Sequence, residues 1–295
     1  MLDVVIVSAS GGRAHLRSCL RSLERHPPRS GAMTVHVVDN ASRDGTVEMV
    51  RREFPTVALA ELGRNLGFAV ANNGVLRRST EPFALLLNPD TEVLEGTLDR
   101  SLEVMRERPR VGVLGCRLTL PDGSFDVHAK WSFPTPLGAL GHFTGVGLRP
   151  RSAKRLSQYR APAMPEGGAG EVDAVGGAFM LARREAMAEV GLLDEGYRLY
   201  IEDLDWCYRF KERGWKVWSE GRVEALHAKG ATTLEDGRHR TFYADVGFHR
   251  GMGRFYRKFY AGRRPALDAL VYAAIGGKLA LSVTRAAAAR HGSSG

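Results

Sequence analysis

Short apolar runs alternate with segments of helical period along the N-terminal half of the chain. Residues 4–8 (VVIVS), 34–39 (TVHVVD), 57–62 (VALAEL), 83–87 (FALLL) and 111–118 (VGVLGCRL) read as strands. Between them, HLRSCLRSLERH places Leu16, Cys19, Leu20 and Leu23 on one face, the spacing that a helix of 3.6-residue period requires. SRDGTVEMVRREF predicts a second helix with Ser42 or Asp44 as its N-cap. NLGFAVANNGVLRRS predicts a third, and GTLDRSLEVMRER a fourth, stopped by Pro109. Alternating strands and helices imply right-handed crossovers and an α/β fold, a mostly parallel sheet flanked by helices. Unbroken apolar runs such as FALLL suit strands covered on both faces.

Residues 119–170 lose this regularity and are rich in Pro, Gly and Arg. They predict a long excursion that could cover a substrate. Regularity returns at Glu171. YIEDLDWCYRFKERG suits an amphipathic helix stopped at Gly214, and WKVWSEG reads as a strand. Residues 1–240 are taken as one α/β domain and 241–295 as a C-terminal helical extension.

In open α/β sheets, ligands bind beyond the carboxyl ends of the strands. FALLL breaks at that point into Asn88, Pro89, Asp90, Thr91 and Glu92. Asp39 ends the second strand, Glu202, Asp203 and Asp205 open a late helix, and His227 follows a late strand-like segment. Singly, each has a plain structural reading: a turn, a cap, a helix-dipole partner, or an Asp205–Arg209 pair at i,i+4. Gathered on one edge they make a polyanionic cleft, which a cation would relieve. A hard divalent ion can be held by only one or two carboxylates while it bridges a diphosphate. Asp90 and His227 are the candidate ligands and Asn88 a neutral neighbour, and an acid at the helix start could serve as a base.

Composition narrows the field. The chain is 44% hydrophobic and 25% charged, which fits a soluble globular protein rather than a disordered one. GxxxxGK[ST], GxGxxG after the first strand, HExxH and GxSxG are all absent, which removes ordinary P-loop, dinucleotide, zincin and serine-hydrolase readings. Cys19, Cys116 and Cys207 are isolated, arguing against a disulfide framework or a cysteine zinc site and fitting a reducing cytosol. The Met-Leu-Asp start predicts no signal peptide.

The net charge of +9 is uneven: residues 241–295 carry nine Lys or Arg against Asp245 and Asp268, a net of +7. A polyanion or an anionic membrane surface is the partner this pattern fits, and no nucleic acid is expected. Asp268, Lys278 and the Gly276–Gly277 pair interrupt the apolar stretch 266–283, so an interfacial helix is expected rather than a spanning one. Phe255, Tyr256, Phe259 and Tyr260 would then lie at headgroup depth.

The segments VVDNASRDGTVEMVRREFP, GRNLGFAVANN, LLLNPDTEV, VGVLGCRLTLPDGS, VDAVGGAFMLARREAMAEVGLLDEGYRLYIEDLDWCYRFKERGWKV and LHAKGAT cover most of residues 1–233. Together and in this order, they resemble an inverting family-2 glycosyltransferase of the GT-A fold, a Rossmann-like nucleotide-diphospho-sugar transferase. The rhamnosyltransferase-like branch is the nearest in pattern. The resemblance implies a donor site built from Ser8, Asp39, Arg64, Asn65, Asn88, Asp90, Gly176 and Gly177, with Asp39 holding the nucleoside base. NPD is similar to the family's DxD metal motif, with Asn88 at its first position and Asp90 as its acid. His227 would complete a Mg2+ or Mn2+ site, and Asp203 would be the general base. Glu202 and Asp205 are further site acids.

The implied donor is a dTDP-, UDP- or GDP-sugar, and rhamnose is the sugar the branch suggests. The implied acceptor is a saccharide or a polyprenyl-linked glycan in cell-envelope polysaccharide synthesis. The implied location is cytoplasmic, peripheral on the inner face of the plasma membrane. Two other classes stay open at this point: a nucleotidyltransferase acting on a sugar phosphate, and a non-catalytic sugar-nucleotide or polyanion binder.

Overall fold

The computed structural model describes residues 1–134, 164–228 and 237–291. The predicted apolar runs form strands: β1 (Leu2–Ser8), β2 (Met33–Asp39), β3 (Ala58–Glu61), β4 (Phe83–Leu87) and β6 (Val111–Thr119), with a short β5 (Thr91–Val93). The helical segments form α1 (Arg13–Arg25), α2 (Thr46–Glu53), α3 (Phe68–Leu76) and α4 (Thr97–Glu107). The predicted face of α1 is buried, and every residue of β4 is buried.

Two helix starts differ from expectation. The N-cap of α2 is Gly45, at φ 78° with no side-chain cap bond. Asp44 instead accepts the Gly11 N–H at 2.9 Å and the Thr46 hydroxyl at 2.5 Å, so its carboxylate ties two loops together. α3 starts three residues later than expected, after Gly67 at φ 89°. A Cβ there would lie 2.6 Å from the Arg198 carbonyl, so the backbone of the 191–201 loop crosses at this point.

The second half adds β7 (Lys130–Trp131), β8 (Ala169–Val172), β9 (Ala174–Val175), β10 (Phe179–Arg183) and β11 (Lys216–His227). Its helices are α5 (Arg184–Val190), α6 (Glu202–Glu212), α7 (Gly237–Phe259) and α8 (Pro265–His291). Gly214, at φ 76°, follows the end of α6 as predicted. Among the described residues the main sheet runs β3-β2-β1-β4-β10-β6-β11-β5, with β8 beside β11. The β3-β2-β1-β4 half is parallel. β10 then inserts antiparallel between β4 and β6. Of the 119–170 excursion, residues 135–163 lie outside the described residues, and so does most of the substrate cover expected there.

Alternate residues of the strands feed two cores, as the period of two demands. Val4, Ile6, Leu85 and Leu87 pack with Leu16 and Leu20 of α1 and with Leu98 and Leu102 of α4. Val5, Leu86 and Met180 pack with α3, α5 and α6. Met252 and Phe255 of α7 belong to this second core. Phe255 and Tyr256, expected at headgroup depth, are therefore buried within the protein.

α8 behaves differently. Val271 and Ile275 pack on Tyr256 with Leu267 beside them, and among the described residues little else of α8 is covered. Residues Pro265–Thr284 have mean hydropathy 1.5 and are 11% buried, long and apolar enough to cross a membrane. Gly276 and Gly277 do not break the helix, because its backbone bonds continue through them at a cost of only about 1 kcal/mol each. Asp268 is folded back, accepting the Tyr256 hydroxyl at 2.7 Å and the Gly262 N–H at 2.9 Å.

This division predicts an asymmetry. A chain ended after Tyr243 loses Met252 and Phe255 from the core and should be destabilised by roughly 3–6 kcal/mol. A chain ended after Arg264 keeps both. Urea unfolding of the two truncated forms measures the difference, and equal midpoints would show that α7 contributes no core.

Candidate active site

Strand register assembles the site before any side chain is considered. Ser8, Asp39 and Glu61 are level at the carboxyl ends of β1, β2 and β3. Ile6 is level with Leu87, so Asn88 emerges at the same edge. Because β10 is antiparallel, its start arrives there too: Phe179 pairs with Leu87, and the Asn88 N–H donates to the Ala178 carbonyl at 3.0 Å. The end of β11 pairs His227 with Thr91, and the Ala228 N–H donates to the Asp90 carbonyl at 2.9 Å. Ser8, Asp39, Asn88, Asp90, Gly176, Gly177 and His227 thus meet on one edge.

On the β1–β2 side, polar atoms wait for partners. Ser8 is buried and its hydroxyl makes no hydrogen bond. Asp39 accepts the Ser42 N–H through Oδ2 at 3.0 Å, while its buried Oδ1 has no partner. Asn40, which the sequence reading passed over, donates to Asn65 Oδ1 at 3.0 Å and accepts the Leu66 N–H at 2.8 Å. Asn65 also accepts the Gly67 N–H. Asn65 therefore shapes the turn, and exposed Arg64 stands beside it.

Asp90 is buried, and its Oδ1 makes no hydrogen bond. His227 Nε2 faces that oxygen at 3.4 Å, and its Nδ1 lies 2.9 Å from Asp126 Oδ2. Asp126, fully buried, was not anticipated, since PDGSFD reads simply as a turn. A carboxylate on Nδ1 fixes the imidazole tautomer and aims Nε2 at the opposite partner, as around metal-binding histidines. Burial disfavours the imidazolium, but the hydrogen bond to Asp126 and the nearby Asp90 outweigh it and lift His227 to about 9. An unpartnered carboxylate oxygen facing an oriented imidazole fits a divalent cation. Among the described residues no cluster of three His, Cys, Asp or Glu could hold one, so a ligand such as a diphosphate would have to complete the shell.

The third group lies at the start of α6. Asp203 accepts the Gly177 N–H through Oδ2 at 2.9 Å and the Leu204 N–H through Oδ1 at 2.8 Å. Glu202 is buried with Oε2 unpartnered, and burial together with the charge of Asp203 pushes it up to about 8. Burial also raises Asp203, while its bonds from Leu204 and Gly177 pull the other way. Asp205, expected as a further site acid, is used otherwise. It is fully buried, pairs with Arg209 at 2.6 Å, and accepts from Tyr197 and Lys258. Two positions along a helix turn a side chain away from its neighbour's face, which separates it from Asp203. Gly176 serves close packing: a Cβ there would lie 2.3 Å from the His128 carbonyl.

The family described as Glycosyl transferase family 2 matches residues 4–190. An N-acetylglucosaminyl-diphospho-decaprenol L-rhamnosyltransferase of Mycobacterium tuberculosis is 31% identical over 251 residues, covering 80% of this chain and 78% of the relative. A low-salt glycan biosynthesis hexosyltransferase, Agl10, of Haloferax volcanii is 26% identical, covering 67% of this chain and 60% of the relative. Among solved structures, the mannosyltransferase PcManGT of Pyrobaculum calidifontis, in complex with GDP-Man and Mn2+, aligns with a TM-score of 0.59 at 19% identity. That alignment covers 98% of this chain and 75% of that one. GalNAc-T7 with UDP, GalNAc and Mn2+ aligns with a TM-score of 0.58 at 15% identity, over 97% of this chain and 57% of that one. The fold is the GT-A arrangement.

The His227 geometry has a pH signature. Its folded value lies above the unfolded value near 6.5, so the stability it contributes is complete below about pH 6.5 and is lost as pH rises through about 9. In chelator, urea unfolding at about pH 6 and about pH 9.5 should show this loss, and Asp126→Asn should reduce it. Identical pH dependence in the two proteins would remove the Asp126–His227 coupling.

Proposed function

The chain belongs to glycosyl transferase family 2 and is a glycosyltransferase, and on that premise we propose that it transfers a sugar, rhamnose first among candidates, with inversion. The donor is a nucleoside diphosphate sugar and the acceptor a saccharide or polyprenyl-linked glycan of the cell envelope. One observation carries this reading: the Asp203 carboxylate is fixed by the Gly177 N–H at the sheet edge that also bears Asp90 and His227. The decaprenol-linked acceptor in the mycobacterial relative's name supports the choice of acceptor class. The nucleotides and Mn2+ bound in the two solved structures support the choice of donor class and cation.

Asp39 Oδ1 and the Ser8 hydroxyl accept from or donate to the nucleoside, and Arg64 meets the diphosphate. Asp90 and His227 would hold Mg2+ or Mn2+, with Asn88 beside them; such an ion would supply Lewis-acid stabilisation of charge on the leaving diphosphate. Asp203 takes the proton of the acceptor hydroxyl as that oxygen attacks the anomeric carbon. The C–O bond to the diphosphate breaks in the same displacement, through an oxocarbenium-like transition state like that of glycoside hydrolysis. Burial and the charge of Asp203 push Glu202 towards its protonated form, while the N–H groups of Gly177 and Leu204 favour the charged form of Asp203.

The decisive experiment measures nucleoside diphosphate release from a panel of dTDP-, UDP- and GDP-sugars, with and without Mn2+ or Mg2+. Turnover that requires the ion and an acceptor is the expected result, and Asp203→Asn should lower kcat by about 10²–10⁴-fold. Wild-type turnover in that variant would reduce Asp203 to a helix cap.

We also propose that α8 holds the enzyme on the cytoplasmic face of an anionic membrane. Its apolar length is mostly uncovered, exposed Arg263 and Arg264 stand just before its start, and exposed Arg257 lies near the end of α7. Each such charge contributes about 1 kcal/mol near an anionic surface. In liposome sedimentation the full chain should partition to anionic vesicles, and a chain ended after Arg264 should lose most of this binding. Equal, salt-insensitive partitioning of both would overturn the anchor.

A further inference from the structure

The residues just before Glu202 and Asp203 are strained. Tyr200 and Ile201 lie at φ 64° and 74°, a left-handed conformation costly for any side chain and rare for a β-branched one. Such a conformation persists only where surrounding structure holds it. The holder is α7. A Cβ at Gly247 would lie 3.2 Å from the Leu199 carbonyl, and one at Gly251 would lie 2.9 Å from Ile201 Cγ1 and 3.1 Å from the Tyr200 carbonyl. The two glycines, one turn apart, let α7 rest directly on the strained backbone.

One turn further on, α7 reaches to either side of that segment. Arg254 donates to both oxygens of Asp194, at 2.8 and 3.1 Å, and stacks over the Tyr197 ring at 5.3 Å. Lys258 donates to Asp194 at 2.8 Å and to Asp205 at 2.7 Å. Asp194 precedes the strained pair and buried Asp205 follows it. One ammonium group thus joins the two ends of the segment that contains Asp203.

We infer that α7 is the clamp that sets the Asp203 carboxylate, with Gly247, Gly251, Arg254 and Lys258 as positioning residues. This rests on the reading of Asp203 as the base. None of the four touches the Gly177–Asp203 hydrogen bond. They act by keeping Tyr200 and Ile201 left-handed, so that α6 begins where its second residue meets the Gly177 N–H.

The helix carries its own control, because an added Cβ at Gly253 meets nothing within 4 Å. Gly251→Ala should push on Ile201 and lower kcat by about 10- to 100-fold, the scale of a small misplacement of reacting groups, with donor KM unchanged. It should also speed hydrogen exchange at the Gly177 amide, read by NMR without substrate. Gly253→Ala should change neither. If Gly251→Ala fails to fold, Lys258→Gln, at a partly exposed position, carries the test, and Lys258→Arg should restore both readouts. Equal kcat and equal Gly177 exchange in the Gly251 and Gly253 variants would overturn the clamp, as would a loss confined to donor KM. Faster exchange with unchanged kcat would leave the clamp standing and sink the base assignment, which Asp203→Asn checks separately.

Discussion

The antiparallel pairing of β10 with β4 is the constraint on which the site depends. β4 delivers Asn88 and Asp90 at its carboxyl end, and any parallel neighbour would deliver its own carboxyl end beside them. β10 runs the other way, so its amino end, Gly177 and Ala178, reaches that edge instead. There the Ala178 carbonyl accepts from Asn88, and the Gly177 N–H donates to the Asp203 carboxylate. The Asn88–Asp90 side and the Asp203 side are thereby joined through two hydrogen-bonded strands in the middle of the sheet rather than through loops.

Acids gathered at one edge must be reconciled with one another, and the molecule does so in different ways. Asp205 is neutralised by Arg209 and Lys258. Glu202 is pushed towards its protonated form by burial and by Asp203. Asp203 is held by two backbone N–H groups. Asp39 and Asp90 each keep one buried oxygen without a partner. Buried polar atoms left this way cost about 1–3 kcal/mol each, a cost that a ligand bound at this sheet edge would relieve.

Much of this was legible in the sequence. The β4 residues are uniformly apolar because both faces are covered, and the break at Asn88 marks the edge of that cover. The Asp205–Arg209 pair followed from i,i+4 spacing alone. The order of strands did not, because periodicity reports which face a residue uses and not which strand lies beside it. Asp126 was hidden for a related reason: its partner His227 is distant in sequence, and a turn motif gives no sign of what its next acid will touch. Phe255 and Tyr256 misled in the opposite sense. Alternating aromatic and basic residues suit a membrane surface, yet the same residues pack equally well against a protein core, and α7 takes the second course.

The clamp residues of α7 lie C-terminal to the segment they hold, and this bears on the order in which the two can meet. The parallel strands and their helices are complete well before α7 is synthesised, so a growing chain can collapse around β1, β2 and β4 early. The carboxylate at the start of α6 exists by then as well, but the helix that covers Tyr200 and Ile201 has yet to leave the ribosome. On the clamp proposal, the turn before Asp203 therefore takes its left-handed form only once α7 has been made and has folded onto it.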